Sequence, residues 1–119
     1  MSAGILPAFL VWLSFSCQKK ETNLTPTCTT NPSATVSYKR DVFPIIQINC
    51  LSCHDAVNHF GGIVIENYDQ IALSGKSGEL YNSIMITSNG KAYMPKGGRL
   101  FDCEIELLKA WIDQGAKNN

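Results

Sequence analysis

The chain is 119 residues long, room for one domain, and its 45% hydrophobic content is that of an ordinary globular protein. Ten basic residues balance ten acidic ones, and all of them lie after Cys17. That balance excludes the basic excess of a nucleic-acid binder and the polybasic helix of a membrane-surface protein.

Ile5 to Phe15 is an uncharged apolar run of eleven residues ending in Ser16-Cys17. A bilayer span needs about twenty residues, so the run fits the apolar core of an export signal with a small residue ahead of the cleavage point. It resembles a bacterial lipoprotein signal. The resemblance implies cleavage before Cys17, lipid on its sulfur and on the new N-terminus, and tethering of an exported, periplasmic or cell-surface protein to a membrane. A signal cut elsewhere, or a retained apolar N-terminus, is the alternative. The stretch after Cys17 is polar, rich in Thr, Asn and Pro, and has no apolar period. It reads as a disordered tether. The expected organisation is a signal over 1–17, a tether over 18–35 and a folded domain over 36–119.

The domain opens on a predicted helix. Asp41 can cap it, Pro44 falls in its first turn, and Val42, Ile45 and Ile46 follow at spacings of three and four. The helix runs into Cys50-Leu51-Ser52-Cys53-His54, the c-type haem attachment pattern. Two thiols three positions apart reach the two vinyl groups of adjacent pyrroles, and the next residue then sits beneath the iron as its proximal ligand. Two other chemistries use such residues: a thioredoxin-like redox pair, and a zinc site completed by Cys28 or Cys103. His59 is the rival for a second iron ligand. It lies five residues past His54, on the side of the attachment peptide, and reads as a loop residue before Gly61-Gly62.

Tyr68 to Leu73 and Gly78 to Ile86 read as short helices separated by Ser74-Gly75-Lys76-Ser77. Met85 belongs to the apolar face of the second, whereas Met94 lies in a loop marked by Pro95 and two glycines. Met94 is therefore the expected second iron ligand, closing the face opposite His54. A last helix is predicted from Cys103 to Gln114, capped by Asp102, stopped by Gly115, with Ile105, Leu108, Trp111 and Ile112 as its apolar stripe.

This order of helix, haem motif, short helices, Met loop and helix resembles the class I cytochrome c fold. More narrowly, Tyr38-x-x-Asp41-Val42-x-Pro44-Ile45, Met94-Pro95 with its two glycines, and Lys109-Ala110-Trp111-Ile112-Asp113-Gln114-Gly115-Ala116 are similar to short exported bacterial c-type cytochrome domains. The resemblance covers roughly Tyr38 to Asn118. It implies an all-α domain of three to five helices wrapped around one haem c, held covalently by Cys50 and Cys53, with His54 and Met94 on the iron. It further implies an electron carrier rather than an enzyme, meeting redox partners through an exposed haem edge. Cys28 and Cys103 remain. In an oxidising compartment leftover cysteines tend to pair, and similar domains often show this bridge. Lys91, Lys96 and Arg99 flank the Met loop, as a docking patch, as counter-charges for haem propionates, or simply as a solvated loop. The alternatives to the electron carrier are an open-iron haem protein acting as peroxidase or gas sensor, and a zinc- or disulfide-stabilised lipoprotein.

Overall fold

A computed structural model describes residues 28, 34–85, 93–96 and 98–119. These are mostly helical and contain no strand, an all-α architecture. The chain enters through a π-helical turn, Tyr38–Val42, and continues as α1 (Phe43–Asn49) and the single turn α2 (Leu51–His54). A 3-10 turn, Phe60–Gly62, leads to α3 (Tyr68–Ser77), α4 (Glu79–Ile84) and, after the Met94 segment, α5 (Asp102–Asp113). The expected signal, its Cys17 and most of the tether lie outside the described residues. Val36 is the first buried hydrophobic residue described.

The first helical segment starts before the predicted Asp41 cap. The Ser37 hydroxyl accepts the Arg40 N–H (3.3 Å), and the Asp41 carboxylate reaches back to accept the Ser37 N–H (2.8 Å). Asp41 thus closes the turn from inside it, and Pro44 falls at the start of α1, where its missing N–H is harmless. The Arg40 guanidinium is the main influence holding the Asp41 carboxyl below its ordinary range, helped by the Ser37 N–H and opposed by burial.

The expected break at Ser74–Ser77 is helical instead. Gly75 lies so close to α5 that an added Cβ would meet Ile112 Cγ1 at 3.2 Å and Trp111 Cζ3 at 3.4 Å. This close packing overrides the low helix propensity of the Ser-Gly-Lys-Ser stretch. The break comes at Gly78, whose φ of 87° suits glycine. Asn67 caps α3 by accepting the Gln70 N–H (3.1 Å), while the Gln70 side chain accepts from the Glu66 and Asn67 amides.

Trp111 is the centre of the core. It is fully buried, stacks at a tilt on Tyr38 (5.8 Å between ring centroids), and donates its indole N–H to the Lys117 carbonyl (2.9 Å). Tyr38 in turn meets Tyr68 edge-on at 5.1 Å. The end of the chain folds back over this cluster. Tyr68 donates to the Ala116 carbonyl, and Asn119 accepts from Lys39 N–H, Tyr38 N–H and the Ser37 hydroxyl. The start and end of the domain are therefore sewn together beside the aromatic cluster.

Two stability measurements follow from this frame. Trp111→Ala removes a fully buried ring and is expected to cost about 3–5 kcal/mol in denaturant unfolding. Asp41→Asn is expected to cost about 1 kcal/mol near pH 7. A carboxyl whose folded pKa is depressed contributes above its unfolded value and loses that contribution as pH falls through the lower folded one. The gap between Asp41→Asn and the native chain should therefore begin to close as pH falls below 3.8, the ordinary value, and vanish below the folded one.

Candidate functional site

The geometry of the site begins at Cys50. Its N–H still bonds to the Ile46 carbonyl (2.8 Å), but its backbone leaves the helical region and the chain turns. The Cys53 and His54 amides then bond back to the Cys50 carbonyl (3.1 and 3.0 Å), making α2 a single turn. This turn leaves Ser52 and Cys53 exposed and drives His54 into the interior. Cys50 is half-buried, and neither Cys50 nor Cys53 is in a disulfide. Burial, with smaller contributions from Cys53 and Glu104, pushes the Cys50 thiol up to about 11.

His54, 7% exposed, is the buried polar side chain of the described core. Its Nδ1 lies 3.2 Å from the Ile63 carbonyl. A carbonyl only accepts, so Nδ1 carries a proton, and in the neutral ring the lone pair falls on Nε2. Among the described residues Nε2 has no hydrogen-bond partner. The Ile65 N–H bonds to the His54 carbonyl (2.9 Å), which fixes the residue from both ends.

Cys50, His54 and Met94 line one cleft, which encloses about 590 Å³ of empty space counting its open mouth. Its walls are Ile63, Ile65, Leu80, Ile84 and Leu100, with Ser74, Glu79, Ser83 and Pro95 completing the lining. The Met94 N–H donates to the Ser83 carbonyl (2.8 Å), so the Met94 segment is pinned to α4. Cys53 does not line the cleft and faces solvent one turn from it.

The other candidates lie elsewhere. Met85 follows α4 as its C-terminal cap, outside the helix whose apolar face it was expected to join, and is 38% exposed. His59 is exposed, with Nδ1 beside the Ala56 carbonyl (3.3 Å). Cys28 and Cys103 are bonded to each other across 75 positions, with Cα atoms 5.7 Å apart. The two sulfurs that a zinc site would have drawn on are thereby occupied. Among the described residues no three His, Cys, Asp or Glu side chains gather to hold a metal ion. Arg99 pairs with Asp102, Lys96 lies 5.9 Å from the Tyr93 ring centroid, and Lys91 is outside the described residues.

Sequence reasoning missed the two backbone acceptors that orient the site, the carbonyls of Ile63 and Ser83. A carbonyl leaves no signal in residue type. It also missed Glu79, which reads as an ordinary acidic residue in the first turn of a helix. The chain matches no family model, no curated protein and no solved structure.

Because the bridge closes a long loop, replacing both its cysteines in Cys28→Ser/Cys103→Ser is expected to lower the unfolding free energy by about 2–4 kcal/mol. Equilibrium denaturation of the two proteins side by side measures the difference.

Proposed function

We propose that this chain is an exported mono-haem c-type cytochrome that carries electrons outside the cytoplasm. One observation carries the reading: Cys50 and His54 of the one motif, and Met94 some forty positions beyond it, line the same apolar cleft. The donor chemistry suits the group. An imidazole nitrogen and a thioether are both donors that haem iron would accept, and two thiols outside any disulfide stand at the attachment spacing. In this reading Cys50 and Cys53 would form the thioethers, and His54 and Met94 would ligate the iron.

Bound there, the haem supplies a one-electron couple. The protein's own part is to hold that couple rigidly and keep water from it. His54 is oriented by the Ile63 carbonyl, which also raises the basicity of the ligating nitrogen. Met94 is delivered by its bond to Ser83, and a thioether in that place favours the reduced state. Ile65, Leu80, Ile84 and Leu100, all buried, lower the polarity around the couple. The loop after α2 carries Val57 and Phe60, both exposed, and Ile63, half-exposed at the cleft wall. An apolar rim of this kind suits brief contact between the haem edge and a redox partner.

Export and a lipid anchor at Cys17 belong to the same proposal and rest on the signal-like N-terminus. Among the described residues no helix is long and apolar enough to cross a membrane.

The reading is tested by comparing Met94→Ala with Met85→Ala in the haem-loaded protein. Met94→Ala is expected to lower the reduction potential and to let the reduced protein bind carbon monoxide, while Met85→Ala does neither. Ready carbon monoxide binding by the native protein would replace the carrier with an open-iron protein.

A further inference from the structure

The loop between α2 and Glu66 is fixed along its length. Its two ends are joined by His54 Nδ1 on the Ile63 carbonyl and by the Ile65 N–H on the His54 carbonyl. Between them the Asp55 carboxylate accepts the Val57 and Asn58 amides, and the Glu66 carboxylate accepts the Ala56 N–H (3.0 Å). Gly61 and Gly62, both left-handed with φ of 68° and 73°, turn the chain back to Ile63, which lines the cleft.

This fixed loop presents its apolar side chains to solvent. Val57 is 81% exposed, Phe60 65% and Ile63 49%. Each Å² of such surface left in water forgoes about 25 cal/mol that a contact would return. Three such side chains on one short loop at the mouth of a cleft mark a face that another molecule covers. Ile48 and Leu73 are about as exposed, but they stand on α1 and α3 and do not line this cleft.

Charge decides what covers it. From Asp41 to Gly75 the sequence holds no Lys or Arg, and it carries Asp41, Asp55, Glu66 and Asp69. Asp41 pairs with Arg40, whereas among the described residues no Lys or Arg pairs with Asp55 or Glu66. The Asn58 amide above all, with the Val57 amide and the nearby His59, holds the Asp55 carboxyl below its ordinary range against the effect of desolvation. The apolar face is therefore flanked by carboxylates. These repel an anionic lipid surface and an acidic protein alike, and they attract a basic one.

We propose that the loop over residues 55–66 is a docking face for a redox protein whose own contact surface is apolar with a rim of Lys and Arg. This rests on the electron-carrier reading and names the partner which that reading leaves open. Val57, Phe60 and Ile63 supply the area that loses water, and Asp55 and Glu66 steer the approach.

Tris(phenanthroline) complexes, tripositive and apolar, mimic the partner's face. In stopped flow, tris(phenanthroline)cobalt(III) takes one electron from the reduced haem-loaded protein, and cobalt falls to the divalent state as the protein is oxidised. The rate is expected to drop about threefold or more between about 0.01 and 0.15 M salt. It should drop by a similar factor in Asp55→Asn/Glu66→Gln, whose amide oxygens still accept the loop's N–H groups. Val57→Ser/Phe60→Ser should slow it as much, and Leu73→Ser should leave it unchanged. Ferricyanide, trinegative and polar, should react no more slowly with either double variant than with native protein. A cobalt rate that ignores both double variants overturns the proposal. So does a ferricyanide rate that is the one slowed by salt, which would assign docking to Lys96 and Arg99 beside Met94.

A second readout needs no haem. In NMR spectra, tris(phenanthroline)chromium(III) is paramagnetic and should broaden the amides of Val57 to Gly62 in native protein but not in Val57→Ser/Phe60→Ser. Broadening centred elsewhere, or unchanged by the substitutions, overturns the docking face. An exported protein without haem overturns the electron-carrier reading instead, and the broadening still decides whether this loop takes a cationic apolar partner.

Discussion

The hydrogen bond from His54 to the Ile63 carbonyl settles more of this molecule than any other single contact. An imidazole buried among aliphatic side chains without a partner would cost about 1–3 kcal/mol. Here the partner is a group that only accepts, so Nδ1 carries a proton, and in the neutral ring the lone pair falls on Nε2. The same bond ties α2 to the far end of the following loop, and the Ile65 amide answers it by bonding to the His54 carbonyl. One reciprocal pair of contacts thus closes the loop, seats Ile65 in the core and aims the ring. A metal-binding histidine needs that fixed tautomer before any metal arrives.

The rest of the fold gives this bond a rigid setting. Trp111 fills the centre, Gly75 lets α3 approach it closely, and the C-terminal residues return to hold the first turn of the domain. The cleft lies to one side, where α4, Leu100 and the Met94 segment face His54. Its two candidate ligands are held in different ways. His54 is secured by short-range contacts within about ten residues of itself. Met94 is held across the fold, by the bond of its N–H to the Ser83 carbonyl in α4.

Part of the candidate site was legible because residue types at fixed spacing mark it. Cys50, His54 and Met94, the last in a loop marked by Pro95, meet at one cleft, while Cys53 lies outside its lining. The helix stripe of Leu108 and Trp111 was equally plain, since a period of three and four survives any tertiary context. The break between α3 and α4 was not. Serines and a glycine at 74–77 favour a loop locally, and only contact with Trp111 and Ile112 explains why that stretch is helical. The cap at the start of the domain was read from the correct residue in the wrong role. Asp41 stabilises the turn by reaching backwards to Ser37, an arrangement that a forward reading of capping signals does not anticipate. The acceptors for His54 and Met94 are backbone carbonyls, whose positions follow from the path of the chain alone.

The most direct measurement of the central proposal is the visible and near-infrared spectrum of the exported protein, made with haem-maturation machinery and recorded oxidised and then reduced. The account predicts sharp α and β bands on reduction and a weak sulfur-to-iron band in the near infrared when oxidised. A protein that emerges from that expression with no Soret absorption would contradict it.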